Sequence, residues 1–368
     1  MLTGTAPMAN SVITNSGAKV ALQSLNKINN QLDTTQKKVS TGYKVADAKD
    51  DGAAYAVAQK VRADVTGLNS ANDQLGGVNG LLTSTLEAVN TVSKTLSDSV
   101  SDVLTKLSDS NLDTETRKQY TEQFKSLAKQ MNTTLQDASY NGTRLLSSTA
   151  EDPLTGAAYT GGSMAVTRNE KGQSYTVNES GATADQMSFT ANISGGAVAA
   201  GATSGLVGVE YYDADADTDG NVLAAEVVTG DATTASASLD DIESISAGAA
   251  RALLQGSVQV DDGTGNKTRT AIDAVMVDGV VLKTFSAVKE NSNAAQNQLG
   301  NDSKFVSSQM TYNNARIDAM EEGLGSLVDA DLAKESARLT ALQTQQQLAT
   351  TALSTANSAP QVLLSLFR

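Results

Sequence analysis

Apolar residues near the start of the chain recur at the spacing of one helix face. They lie at intervals near three, four or seven residues, which brings their side chains to one side of an α-helix. The positions concerned are Ile13, Leu25, Ile28, Leu32 and Val39. The pattern stops at Gly42, a residue that favours a helix end. The sequence therefore predicts a long amphipathic helix before Gly42.

Helical periodicity resumes near Ala53 and extends to Leu107, with a glycine-containing stretch at residues 76–80 that predicts a weak centre. Asp113 is a predicted N-cap of a further helix, because its carboxylate can accept hydrogen bonds from free backbone N–H groups. Apolar residues follow Asp113 at steps of three and four. They are Tyr120, Phe124, Leu127, Met131 and Leu135.

The middle of the chain, from about Ser147 to Lys283, is rich in Gly, Ala, Ser and Thr. Short runs of β-branched residues punctuate it, which predicts strands separated by loops. These runs are Ser174–Val177, Leu206–Val209 and Val275–Val281. No Lys or Arg occurs between Gly172 and Ala250, whereas Asp and Glu are frequent there. An acidic segment of this kind suits a solvent-facing surface.

A second set of helical stripes occupies the end of the chain. Its apolar positions include Leu339, Leu342 and Leu353, and they continue to Leu363 and Leu366. Helical ends around a strand-rich insert predict a mainly α fold. In it, long antiparallel, coiled-coil-like helices from both termini form the core, and the insert forms an outer, solvent-facing β-containing domain.

This layout divides the chain into five segments. Residues 1–47 are the N-terminal core helix, and 48–175 are the N-terminal part of a helical second domain plus a β-hairpin. The acidic outer insert spans 176–284. Residues 285–327 are the C-terminal helix of the second domain, and 328–368 are the C-terminal core helix.

The terminal stripes have two explanations at this point: an ordinary intramolecular bundle, or packing between copies of the chain. Ser11–Val39 and Leu332–Phe367 are poor in aromatics and rich in Gln, Asn, Ser and Thr, so alone they bury too little apolar area to offset their ordering entropy. We therefore expect them to order against copies of themselves. The residues predicted to pack between subunits are Ile13, Leu25, Ile28, Leu32, Leu339, Leu342, Leu353, Leu363 and Leu366. Deleting about Gly181–Gly248 is expected to leave assembly intact.

The chain lacks the residue types on which many catalytic sites depend. The chain has no His and no Cys, which eliminates imidazole bases, thiol nucleophiles, the usual zinc ligands and disulfides. We therefore expect no enzymatic activity and no required cofactor. The formal net charge of −14 disfavours nucleic acid as a partner. No run approaches about 18 apolar residues, and no basic and apolar leader opens the chain, so neither a membrane span nor a Sec-type signal is expected.

One local motif suggests a metal. The segment DADTDGNVLAAE, residues 215–226, fits a calcium-binding loop with carboxylates at its first, third, fifth and twelfth positions. The predicted ligands are Asp215, Asp217, Asp219, the backbone carbonyl of Asn221, and Glu226. Leu223 cannot ligate at position nine, and strand-like flanks argue against a paired EF-hand. A solvated acidic loop is the alternative interpretation.

Two smaller features have structural explanations. Asp50 and Asp51 lie in a loop without histidine, so helix capping or ion pairing between subunits is expected rather than acid–base chemistry. Asn141-Gly142-Thr143 fits a glycosylation pattern, but Asn-Gly is also a turn signal, and a turn is the preferred interpretation.

Longer strings carry a resemblance to a known family. NSVITNSGAKVALQSL (Asn10–Leu25), VSTGYKVADAKDDGAAYAVA (Val39–Ala58), NSAND (Asn69–Asp73) and YNGTRLL (Tyr140–Leu146) resemble segments of the bacterial flagellins in the same order. Ala315–Arg368 resembles the flagellin C-terminus. The resemblance covers roughly residues 10–147 and 285–368.

The resemblance implies a structural subunit that polymerises into a helical flagellar filament for motility. Paired terminal helices would form the inner core, and the variable insert would face solvent. It further implies export through the flagellar type III channel, an extracellular location, and a filament cap, hook–filament junction proteins and an export chaperone as partners. A hook–filament junction protein of the same superfamily and a calcium-binding surface adhesin are the alternatives.

Overall fold

The computed structural model describes residues 15–151, 158–159, 161–189, 208–210, 221–223, 227–228, 239–261, 267–272, 274–278 and 280–366. The chain forms two compact units. The terminal unit comprises residues 1–67 and 314–368, and the central unit comprises residues 68–313. The five-segment division expected from composition stays a prediction.

Long helices dominate the described residues. They are α1 (Ser16–Thr41), α2 (Gly52–Thr95), α3 (Ser101–Leu107), α4 (Thr114–Gln136), α5 (Ala247–Gln255), α6 (Phe285–Val328) and α7 (Leu332–Leu366). One π-helical turn, Leu96–Val100, joins α2 to α3. Asp113 is the N-cap of α4, as predicted: its side chain accepts a hydrogen bond from the backbone N–H of Thr116 at 2.9 Å.

Short strands lie between α4 and α6. They are β1 (Ser148–Glu151), β2 (Ala158–Tyr159), β3 (Met164–Thr167), β4 (Ser174–Val177), β5 (Gly208–Glu210), β6 (Asn221–Leu223), β7 (Val227–Val228), β8 (Ser257–Asp261), β9 (Lys267–Ala271), β10 (Ala274–Val277) and β11 (Val280–Lys283). Strands β1 and β2 pair, β3 and β4 form an antiparallel hairpin, and two further sheets have the orders β11-β10-β5-β7 and β6-β8-β9. The helical ends and strand-containing middle confirm the predicted fold class.

The central unit has an extensive apolar core. The predicted stripe of α4 points into it, with Phe124, Met131 and Leu135 at most 1% exposed. The rings of Phe124 and Phe189 meet edge to face, with centroids 5.0 Å apart and planes at 68°. Such a pair adds about 0.5–1.5 kcal/mol beyond area burial. The core therefore joins helices to the strand-rich segment.

Helix α2 is continuous through its glycines, as the predicted long helix requires, and the weak centre stays a prediction. At Gly80 the missing side chain has a packing reason. A Cβ there would lie 2.8 Å from Cζ of Tyr140, whose ring rests on the helix. Tertiary packing thus outweighs the low helix propensity of glycine.

Asn141 and Gly142 form a tight turn, as predicted. Both have positive φ, 50° and 76°, as a type I′ turn requires. Tyr140 and Thr143 exchange two backbone hydrogen bonds of 2.9 and 3.0 Å across it. This turn brings the Tyr140 ring to Gly80.

The flanks of the predicted outer insert belong to the central core. Phe189, Leu239 and Ile245 are at most 1% exposed, and they share one cluster with the helices. Deleting Gly181–Gly248 would remove these buried residues from the core, and the expectation that assembly survives the deletion stays a prediction. Composition could not reveal that the flanks are buried, since scattered apolar residues in a polar segment have no readable period.

Candidate assembly interface

Helix α1 has defined ends. Asn15 is its N-cap, and the side chain accepts a hydrogen bond from the N–H of Ala18 at 2.9 Å. Gly42 closes it in the left-handed conformation with φ of 76°, donating its N–H to the carbonyl of Lys38. The predicted break at Gly42 is thus a glycine C-cap.

Helices α1 and α7 run antiparallel within the terminal unit. Side-chain amides connect Asn15 to the carbonyl of Ala356 and Gln346 to Asn29, each at 2.8 Å. At the other end the N–H of Ala330 donates to the carbonyl of Gly42, also at 2.8 Å. Residue numbers fall along α7 as they rise along α1, so the predicted antiparallel arrangement is confirmed.

The helix pair buries very little. Among the described side chains of α1 and α7, the buried ones are Thr35, 2% exposed, and Leu342, 5% exposed. Four larger apolar side chains on these helices are instead between 48% and 65% exposed. They are Val20, Leu22, Leu332 and Leu348. Leu332 and Leu348 lie on the apolar stripe predicted for the C-terminal helix, whereas the predicted stripe of α1 included neither Val20 nor Leu22.

The residues predicted to pack between subunits divide into three groups. Leu342 is buried. Five are half-buried: Leu25, Ile28, Leu32, Leu339 and Leu353. The remaining three side chains, Ile13, Leu363 and Leu366, lie outside the described residues. Their role between subunits stays a prediction.

The loop between α1 and α2 is held by charge. The ammonium of Lys37 contacts the carboxylates of Asp47 at 2.7 Å and Asp50 at 3.0 Å. These hydrogen bonds raise the pKa of Lys37 and lower the pKa of both aspartates. Asp51 accepts from the N–H groups of Ala53 and Ala54 at 3.0 Å and caps α2. The expected capping is present at Asp51, whereas Asp50 pairs with Lys37 of its own chain, and ion pairing between subunits stays a prediction.

A polar groove runs along α1 on a side that sequence reasoning did not identify. It has a volume of about 480 Å³, and residues of α1 at steps of three and four line it together with Arg338 of α7. Three cations, Lys27, Lys38 and Arg338, lie in its wall. The signal was present in the sequence, because Gln, Asn, Lys and Thr follow helical spacing there just as the apolar residues do.

The predicted calcium ligands Asp215, Asp217, Asp219 and Glu226 lie outside the described residues, and Asn221 begins β6. Within the described stretches, no three His, Cys, Asp or Glu side chains come together in a way that could hold a metal ion. The calcium site stays a prediction.

Comparison with known proteins decides the family. The N-terminal helical region of bacterial flagellins matches residues 12–151, and the C-terminal helical region matches residues 284–367. A flagellin of Brucella melitensis is 30% identical, over 97% of this chain and 99% of the relative. The chain belongs to the bacterial flagellin family. Flagellin FljN of Caulobacter vibrioides is 30% identical over 98% of this chain, and flagellin A of Rhizobium meliloti is 28% identical over 97%.

Flagellins are structural subunits of the flagellar filament, and the helical regions that define the family contain both α1 and α7. The similarity extends along nearly the whole chain, and favours neither the junction protein nor the adhesin. No described helix of this flagellin is both long enough and apolar enough to span a membrane.

Proposed function

We propose that this flagellin polymerises into the extracellular flagellar filament by packing α1 and α7 against the same helices of neighbouring copies. The interface would use the half-buried Leu25, Ile28, Leu32, Leu339 and Leu353 together with Leu342. Ile13, Leu363 and Leu366 would extend it.

One observation carries this proposal: two helices of 26 and 35 residues pair while burying two described side chains. Burying a large aliphatic side chain contributes about 1.5–3 kcal/mol, so the pair forgoes most of the stabilisation available to it. Neighbouring copies can cover the apolar side chains that each pair leaves exposed.

Seeded elongation tests the proposal. Leu32→Asp or Leu342→Asp introduces a charge that assembly would bury without a partner, so elongation from preformed filament seeds should fall below detection. Ser24→Asp and Thr340→Asp add the same charge at exposed positions of the same helices and serve as matched controls. Melting of the central unit should be unchanged in all four variants. Normal elongation by both leucine variants would refute the proposal.

Unassisted growth separates a filament subunit from a junction protein. Long filaments grown from purified chain and seeds support the filament role, whereas growth that stops after a short zone supports the junction role. A filament cap, junction proteins and an export chaperone remain proposed partners, as does passage through the type III channel.

Calcium binding by residues 215–226 is also proposed. Because Leu223 leaves one ligand position to water, we expect a Kd of roughly 10⁻⁴ to 10⁻³ M. Calorimetry on the full chain, with magnesium and with Asp217→Asn/Glu226→Gln as controls, tests it. Absence of binding heat at about 5 mM calcium would contradict calcium binding and favour the solvated acidic loop instead.

A further inference from the structure

Three cations line the groove along α1, and none of them has an ion-pair partner among the described residues. Lys27 and Lys38 of α1 and Arg338 of α7 line it, and no carboxylate lies within ion-pair distance of them among the described residues. The neighbouring Lys37 is different, because it is paired with Asp47 and Asp50. We call the surface formed by Lys27, Lys38 and Arg338 the basic groove.

The basic groove is unusual in so acidic a chain. The formal net charge is −14, yet α1 contains four lysines and one aspartate. Copies with this net charge repel one another over a distance of about 8–10 Å at physiological salt. A basic surface on α1, which is proposed to assemble, can attract an acidic surface of another copy and so offset this repulsion.

The complementary surface is on α6. Asp318, Glu321 and Glu322 are exposed and lie three and four residues apart, which places them on one helix face. Within the described part of the chain, none of the three has an ion-pair partner. We call these residues the acidic face, and both surfaces belong to the terminal unit.

The dimensions of the two surfaces are compatible. Three carboxylates at these positions span about one helical turn, roughly 5–6 Å. Lys27 and Lys38 are about three turns apart, roughly 16 Å along α1. Each ammonium is at the end of a flexible four-carbon chain, so both can swing toward a carboxylate cluster between them.

We propose that the basic groove of one copy receives the acidic face of α6 from a second copy during filament assembly. This inference rests on the proposed function and names the polar contact that would fix the register of the apolar packing. Charge complementarity sets orientation and encounter rate more than affinity, so the contact would act mainly on the rate of elongation.

Exchanging the charges of the basic groove and the acidic face tests this proposal. Lys27→Glu/Lys38→Glu and Glu321→Lys/Glu322→Lys should each slow seeded elongation at least about tenfold. The variant with all four substitutions should recover to within about threefold of the wild-type rate, because the pair is restored with its signs exchanged. Lys94→Glu/Lys118→Glu and Glu87→Lys/Glu115→Lys make the same charge changes at exposed positions of the central unit, and should elongate at near the wild-type rate.

Salt gives a second readout that does not depend on charge reversal. Glu321→Gln/Glu322→Gln should elongate more slowly than the wild type at about 20 mM NaCl, and the difference should vanish near 1 M, where screening acts over about 3 Å. Melting of each variant monomer checks that it is folded.

The proposed pairing would be overturned if the variant with all four substitutions elongated no faster than the two reversals. It would also be overturned if either reversal elongated at the wild-type rate. Failure of the proposed function has a different signature, namely normal elongation by both Leu32→Asp and Leu342→Asp.

Discussion

The central and terminal units are both helical, but they are built on different principles. In the central unit, many leucine, valine and alanine side chains are buried in one core, where the rings of Phe124 and Phe189 contact each other. In the terminal unit, the paired helices α1 and α7 bury Thr35 and Leu342 among their described side chains. The central unit buries its own apolar side chains, whereas α1 and α7 leave apolar side chains exposed, and we propose that another copy covers them.

This contrast separates stability from assembly. Substitutions in the central core should change the free energy of unfolding of the isolated chain. Substitutions on α1 or α7 should change polymerisation and leave that free energy nearly constant.

The largest expected effect is at the centre of the central core. Phe124→Ala removes a ring that is fully buried against Phe189, so the free energy of unfolding should fall by about 3–5 kcal/mol. Leu342→Ala, in the terminal pair, should change the unfolding of the central unit by less than about 0.5 kcal/mol. Urea denaturation of the monomer measures both, and equal losses would erase the contrast between the units.

An intermediate effect is expected where the Tyr140 ring meets α2. Gly80→Ala places a methyl group into the ring, which must rotate away, so we expect a loss of about 1 kcal/mol. Gly77→Ala has open space and should stabilise the monomer by about 0.5–1 kcal/mol through helix propensity. In a Tyr140→Ala background the Gly80→Ala substitution should become stabilising. Chemical denaturation of the four variants checks this, and a stabilising Gly80→Ala in the wild-type background would contradict it.

Removing a buried hydrogen bond should lower the free energy of unfolding by a similar amount, and this loss should depend on pH. The Tyr175 hydroxyl donates to Oδ1 of the buried Asp302 at 2.7 Å, so Tyr175→Phe should cost about 1–3 kcal/mol at neutral pH. Desolvation and this bond raise the pKa of Tyr175 to about 12 from 10.0. Folding thus favours the protonated phenol, and its contribution is complete below pH 10 and lost as pH rises toward 12.

The stability difference between wild type and Tyr175→Phe should therefore shrink above pH 10. Tyr43→Phe, at a tyrosine 41% exposed, is the control and should differ little from wild type at neutral pH. A constant difference up to pH 12 would rule out the protonation argument.

The smallest effect should follow removal of part of the insert. On either side of the segment to be replaced, the Phe189 ring packs on Phe124, and the carbonyl of Asp240 accepts a hydrogen bond from the neighbouring Lys125 at 3.1 Å. Replacing residues 192–236 with a short Gly-Ser linker removes β5, β6 and β7, which pair with β10 and β8, but no residue of the described core cluster, so elongation should stay within about twofold of wild type. Loss of elongation by a folded variant would give the insert a role in assembly.

Periodic features of the sequence predicted the structure best. The stripe after Asp113, the Gly42 break and the Asn141-Gly142 turn follow from local rules of spacing, capping and backbone conformation. Contacts between distant segments did not follow from those rules. The Tyr140 ring on Gly80 and the insert flanks in the core depend on tertiary packing, which a single sequence does not encode in any local period.

The proposed assembly surface likewise combines features that the sequence shows with one that only the structure shows. Helical spacing identified Leu25, Ile28 and Leu342, because apolar stripes are visible in sequence. The basic groove was missed, since unpaired lysines on a helix look like an ordinary solvated face until the structure shows that they share a concave surface with Arg338.

Hydrogen exchange on monomer and filament tests the central claim most directly. If the terminal pair depends on neighbouring copies, backbone amides of α1 and α7 should exchange within about tenfold of the unstructured rate in the monomer. The same amides should be protected at least about a thousandfold in the filament. Amides of the α4 core should be protected in both states. Strong protection of α1 and α7 in the monomer, equal to that of α4, would contradict the account.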